Sequence, residues 1–284
     1  QNMLLCMESD ERIGFVVPMS DNVSNRQQVN LGYTNLSDMQ EKAAAFNVSD
    51  PRKWHDRVRL IPTVCVIRTS LRDFYEGDYA FIYEFTDDDL SFAYRRLGYR
   101  NVLCGDVFVH HEGSTISAAV PEQRVENMEK GRLLFRRKYN GIDAWDDVIN
   151  FEVFMRRVLF EKTAGKENAR ALGIDVRCGT PLLEIQNTLR SYGFGNTQLT
   201  AYTTDPKYWQ DLSYFCEGGV FCGDIDRLSH KLGDALYDYI IMGAYVDLYE
   251  DALAVIDSSA SHLRTGGALV CKMRNYDVPY DLQE

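Results

Sequence analysis

The sequence predicts an α/β protein in two parts, and three observations carry that expectation. Apolar, β-branched runs at 13–20, 58–70 and 101–111 alternate with helically spaced segments in the first half. From about residue 168 the rhythm becomes a regular strand–helix alternation, which predicts a parallel sheet with helices on both faces. A chain of 284 residues, 45% hydrophobic and 26% charged, is long enough for two globular domains of modest size.

Taken in order, residues 2–10 read as a short helix and Ile13–Ser20 as a buried strand ended by Pro18. Ser37 and Gln40 form a capping-box pattern for a helix reaching Asn47. Residues 58–70 read as a second buried strand, with Thr69 or Ser70 capping a short helix into Phe74. Residues 77–89 read as a loop, and a helix then runs from Leu90 to a stop at Gly98. Residues 101–111 follow as a strand, then an amphipathic helix from Pro121 to Tyr139 and a second helical stretch at 144–162. In the last part strands are expected at 171–176, 198–204, 219–222, 237–243 and 268–273, with helices at 181–192 and 251–263. The organisation expected is therefore 1–125, a helical linker at 126–165, and a parallel-sheet domain at 166–284.

A net charge of -11 argues against a general nucleic-acid or anionic-membrane binder. No run of 18 apolar residues is present, so no membrane-spanning helix is expected, and the start lacks a signal-peptide pattern. The seven cysteines, odd in number and without a CxxC pair, read as reduced, buried thiols of a cytoplasmic protein. The first residue is Gln rather than Met, which reads as a chain cut from something longer.

Two clusters stand out in the first half. Asp87, Asp88 and Asp89 sit together before a predicted helix. One of them is explained by capping; three packed carboxylates raise one another's pKa, which suits a general base or a metal site. The strand DVFVHHEGS ends in His110 and His111, only one of which can point into a site. A carboxylate loop and a strand-end histidine are the ingredients of a divalent-metal site that handles phosphate. The expectation is that the three aspartates and one imidazole converge on a common cavity. Among the nearby aromatics, Trp54, Tyr79 and Phe81 read as core, and Tyr83 as a candidate to line a carbohydrate cleft. The basic residues of helix 121–139 read as a solvated face, interleaved with Glu122, Glu126 and Glu129.

The stretch IGFVVPMSDNVSN, then Trp54, then YEFTDDDLSFAYRRLGYRNVLCGDVFVHHEGST, resembles the second half of a family 2 inverting glycosyltransferase of the GT-A fold, over about residues 1–120. The resemblance implies that Asp87 to Asp89 supply the catalytic base, with Asp87 at the best-matching position and Thr86 where the family commonly has Glu. It implies His110, and as second choice His111, as the residue holding a divalent metal (Mn or Mg) or the diphosphate. The substrates implied are a nucleotide-sugar donor and a glycan, lipid-linked or protein acceptor, as in bacterial polysaccharide biosynthesis. The family's donor-binding half, with its Asp-x-Asp motif, would precede Asn2, so these residues alone are expected to be inactive in transfer.

Residues 168–275 resemble a class I S-adenosylmethionine-dependent methyltransferase. Ile174–Pro181 stands where that family has a Glu-x-Gly-x-Gly-x-Gly loop: Asp175 keeps the acid and Gly179 one glycine, while Arg177 and Pro181 replace the other two. A side chain at Arg177 would crowd the methionine part of the cofactor. The resemblance implies Asp205, or alternatively Thr203, for the ribose and Asp224 for the adenine, with Leu248 where many members have His. The family's last two strands would lie beyond Glu284, leaving an exposed sheet edge. The two resemblances together imply an α/β chain built from a partial GT-A (nucleotide-diphospho-sugar transferase) fold plus a Rossmann-like methyltransferase-type parallel sheet. Three readings follow: a glycosyltransferase fragment fused to a methyltransferase-like domain, a methyltransferase with an N-terminal docking module, or a non-catalytic scaffold.

Overall fold

The computed structural model describes residues 1–81, 84–113, 121–151 and 168–275, with the backbone alone at 121–124. The fold is mixed α/β, and the chain divides into two compact units, Gln1–Ile149 and Asn150–Glu284.

The first unit is built on a four-stranded sheet. In chain order it contains α1 (Asn2–Glu8), β1 (Ile13–Ser20), α2 (Leu36–Phe46), β2 (Trp54–Arg57), β3 (Val66–Ile67), α3 (Thr69–Arg72), α4 (Thr86–Arg96), β4 (Arg100–Val109) and α5 (Pro121–Lys138). The strand order is β2-β4-β1-β3, with β1 and β4 parallel and the two outer strands antiparallel to their neighbours. Both central strands are almost wholly buried, as continuous apolar runs require. Met3, Cys6 and Met7 of α1 cover one face against Val16 and Val102. Leu71 and Tyr94 cover the other, against Phe15, Val17 and Leu103. Phe135 and Tyr139 pack on Phe92, which fixes α5 to α4.

Several expectations change here. Pro18 does not end β1; it sits inside the strand at a register shift against β4, which suits a residue with no N–H to give the ladder. Asn35, not Ser37, caps α2, accepting from the Asp38 amide at 3.0 Å. Of the run 58–70 only Val66–Ile67 is strand; the apolar side chains Val58 and Leu60 are buried without a ladder. Trp54–Arg57 forms a strand that the apolar pattern did not mark, antiparallel to β4. Residues 144–148 are turns rather than helix, and 152–162 lie outside the described residues. The thiols of Cys6, Cys104, Cys178 and Cys216 are buried, whereas those of Cys65 and Cys271 are exposed.

The second unit is a five-stranded, all-parallel sheet: β5 (Asn168–Ile174), β6 (Asn196–Thr203), β7 (Val220–Cys222), β8 (Tyr237–Tyr245) and β9 (Leu263–Lys272). Among the described residues its helices are α6 (Thr180–Ser191), α7 (Trp209–Ser213), α8 (Leu228–Leu232) and α9 (Ala252–Ala260). The order β7-β6-β5-β8-β9 is the doubly wound, Rossmann-like one, which reverses between β5 and β8. Leu228, Leu232 and Val255 cover one face over Ile240 and Met242. Leu182, whose side chain closes on Gly173, covers the other. Every strand and helix expected in this half is present, with ends shifted by up to five residues. Among the described residues no helix is long and apolar enough to cross a membrane.

Candidate functional site

In the first unit the three aspartates occupy the first turn of α4, which begins at Thr86 and not at Leu90. Successive helical residues point about 100° apart, so three consecutive carboxylates diverge. Asp87 keeps 29% of its side chain exposed and stands 3.7 Å from Arg59 Nη2. Asp88 is buried and accepts from Arg59 Nε and, at 3.1 Å, Nη2. Burial pushes its pKa up to about 6, with Arg59 opposing and Asp87 adding. Asp89 is fully buried; it accepts from the Tyr75 hydroxyl, from Tyr139 at 2.7 Å, and meets Lys138 Nζ at 2.8 Å. It is a packing anchor between α4 and α5.

The histidines form a separate group just past the end of β4. His110 Nδ1 donates to Asp21 Oδ2 at 2.6 Å and lies 2.9 Å from the Tyr33 hydroxyl, which donates to the same carboxylate. The His111 amide donates to Asp21 Oδ1 at 3.0 Å, and its Nδ1 donates to the Asn22 carbonyl. Burial opposes the ionised form of Asp21, yet the bonds from Tyr33, His110 and the His111 amide bring it down to about 2. The bonds to Asp21 and Glu112 raise His110. His110 therefore keeps its proton to higher pH than an ordinary imidazole, and Asp21→Asn lessens that effect; a histidine-ring NMR titration reads both. An unchanged titration in the variant contradicts the assignment.

Asp21 and Glu112 flank opposite nitrogens of the His110 ring, so they cannot share one cation with it. Among the described residues no group of three or more His, Cys, Asp or Glu side chains is arranged to hold a metal ion. The described residues do not by themselves supply a ligand set for the divalent metal expected at His110 or His111. Asp88 and Asp89 are turned onto Arg59 and onto Lys138, and among the described residues the aspartates and the histidines share no hydrogen bond or ion pair. Tyr79 is 90% exposed and not core, Phe81 is buried, the Trp54 indole is bonded to Asp106 at 2.9 Å, and Tyr83 lies outside the described residues.

In the second unit the candidate residues gather at the carboxyl ends of the strands. β5 ends at Ile174, and the chain turns through Asp175 and Arg177, both at positive φ (49° and 54°), to Gly179 at 96°. Arg177 thus adopts the left-handed conformation that glycine favours, so the turn is kept without that glycine. Asp175 Oδ1 accepts from the Thr204 amide at 2.6 Å and its hydroxyl at 3.0 Å; Oδ2 accepts from Tyr249 at 2.6 Å. The central acid therefore ties together the ends of β5 and β6 and the segment after β8.

Asp205 stands two residues past β6, its carboxylate about half exposed and accepting from the Lys207 amide at 3.0 Å. Thr203 is fully buried, its hydroxyl turned onto the Asp205 backbone, so of the two ribose candidates only Asp205 offers an accessible oxygen. Asp224, exposed after β7, has its carbonyl bonded to the Tyr202 hydroxyl at 2.6 Å. Burial raises the Cys222 thiol, and Asp205 and Asp175 add to it. Burial, with Asp175, Cys222, Asp226 and Asp224, pushes Tyr202 up to about 12. Asp175, Asp205 and Asp224 thus stand just past the carboxyl ends of three neighbouring parallel strands.

The glycine loop is less open. A Cβ at Gly179 would meet Phe215 Cζ at 2.1 Å and Leu212 at 3.0 Å, so its outer face is packed by the segment after β6. Accessible acceptors therefore lie at the ends of β6 and β7, while the face of Gly179 is covered. Thr204, Tyr202 and Tyr249 had no sequence signal as site residues, because only the fold brings them to Asp175.

No protein-family profile matches the chain, and no curated protein does. Among solved structures it is similar to coclaurine N-methyltransferase bound to N-methylheliamine and SAH, with 12% sequence identity and a TM-score of 0.30. That match covers 41% of this chain and spans 33% of the length of that enzyme.

Proposed function

We propose that the second unit binds S-adenosylmethionine and that the protein is a methyltransferase-type transferase. The observation that supports this is the set of carboxylates Asp175, Asp205 and Asp224 just past the ends of β5, β6 and β7, of which β5 borders the reversal point of the Rossmann-like sheet. Ligands of such sheets sit outside the carboxyl ends of the strands at that point. Rossmann-like sheets also serve dinucleotides, but acids at three neighbouring strand ends repel a pyrophosphate and attract a sulfonium cation. When bound, the cofactor supplies an electrophilic methyl group on a sulfonium. Asp205 accepts the ribose hydroxyls, Asp224 the adenine amino group, and Asp175 holds the loop between them.

Titration calorimetry tests the reading. S-adenosylmethionine and S-adenosylhomocysteine are expected to bind saturably and NAD not at all, with Asp205→Ala weakening binding about tenfold or more, the worth of a charged hydrogen bond. Binding of NAD in preference to S-adenosylmethionine overturns it.

A second reading concerns the first unit: the later half of an inverting glycosyltransferase. The observation favouring it is Asp87, the one member of the triplet with a partly open carboxylate, beside Arg59. In this reading Asp87 takes the proton of an acceptor hydroxyl as that oxygen attacks the anomeric carbon of a nucleotide sugar. In a longer protein carrying a donor-binding half, Asp87→Asn is expected to cut sugar transfer about 100-fold or more. Transfer at an unchanged rate removes the reading.

A further inference from the structure

The segment that leaves β8 is fastened on both sides of the sheet's reversal point. It makes a 3₁₀ turn at Val246–Leu248, with Val246 buried in the core beneath. Towards β9, Asp247 accepts from Arg274 Nε at 2.6 Å and from the Arg274 amide at 3.1 Å. Towards β5, the Tyr249 hydroxyl donates to Asp175 Oδ2 at 2.6 Å. Between the two fastenings Leu248 stands 61% exposed.

Right-handed connections from β5 to β6 and from β8 to β9 leave the sheet on opposite faces and open a crevice between β5 and β8. The Tyr249–Asp175 bond spans that crevice. Asp175 is not free to swing away, because Thr204 holds its other oxygen with two bonds. Tyr249 stays a donor at all ordinary pH values, since burial and the Asp175 carboxylate both raise its ionisation. A ligand seated in the crevice competes with the Tyr249 ring for space and with its hydroxyl for Oδ2.

We propose that residues 246–249 are a strap closing the ligand crevice of the second unit, with the Tyr249 hydroxyl on Asp175 as its latch. The strap rests on the reading that the crevice takes an adenosyl sulfonium ligand. Ligand entry exchanges the tyrosine hydroxyl on Asp175 for ligand or solvent, and the strap re-forms on release.

Tyr249→Phe removes the latch and keeps the ring; Asp247→Asn loosens the opposite fastening and serves if the first variant folds poorly. Hydrogen exchange of the 246–249 amides in the ligand-free full chain is expected to speed up about tenfold in either variant, the worth of one hydrogen bond. S-adenosylhomocysteine affinity, read by calorimetry, is expected to rise about three- to tenfold in Tyr249→Phe. Unchanged exchange overturns the strap. Faster exchange with equal or weaker affinity overturns the latch, since Tyr249 then does not compete with ligand. Binding by neither protein removes the ligand reading alone, and the exchange rates still decide the strap.

Discussion

Asp89→Ala is expected to destabilise the first unit by about 3–5 kcal/mol, the usual cost of removing one partner of a buried ion pair. Its carboxylate is fully enclosed and receives the Tyr75 and Tyr139 hydroxyls and the Lys138 ammonium. Lys138 retains Asp78 at 2.9 Å, which keeps the loss towards the lower end of that range. The contrast with its neighbour is the informative part. Asp87→Ala, two positions earlier on a partly open face, is expected to cost about 0.5 kcal/mol or less. Urea denaturation of both variants reads the difference. Equal effects contradict the assignment of Asp89 as anchor and Asp87 as the accessible acid.

Gly243→Ala is expected to cost about 3 kcal/mol or more and to abolish ligand binding in the second unit. A Cβ there would stand 2.5 Å from the Asp175 carbonyl oxygen and 2.8 Å from Val176 Cα. Both obstacles are backbone of the turn that carries Asp175, so relief requires moving the ends of β5 and β8 apart. Thermal unfolding and calorimetry with S-adenosylhomocysteine check the two effects together. A variant with wild-type stability and binding contradicts the close approach of these two strands.

The second half was legible in the sequence because a parallel sheet buries both faces of each strand. The central strands β5 and β8 are almost wholly buried and rich in apolar residues, and Gly179 and Asp205 mark turns after β5 and β6. Asp175 was singled out by the resemblance of its loop; it was read inside a strand at 171–176, and it directly follows one that ends at Ile174. Tyr249 and Thr204 lie 74 and 29 residues from Asp175 and carry no local pattern. In the first half, apolar character misled at 58–65, where Val58 and Leu60 are buried by packing without pairing as strand. The aspartate triplet misled because it was read as a loop. On a loop three carboxylates can converge; on the first turn of α4 the helical rotation sends them to Arg59 and to Lys138 with its tyrosines. Asp21 and Tyr33, which hold His110, come from β1's end and the connection after it, so only the parallel pairing of β1 with β4 joins them.

The most direct test of the adenosyl-binding account is amide chemical-shift mapping of the full chain on addition of S-adenosylhomocysteine. The largest changes are expected at 175–179, 203–205, 222–226 and 246–249, the ends of four adjacent parallel strands. Shifts concentrated on other parts of the chain, or none at saturating ligand, contradict it.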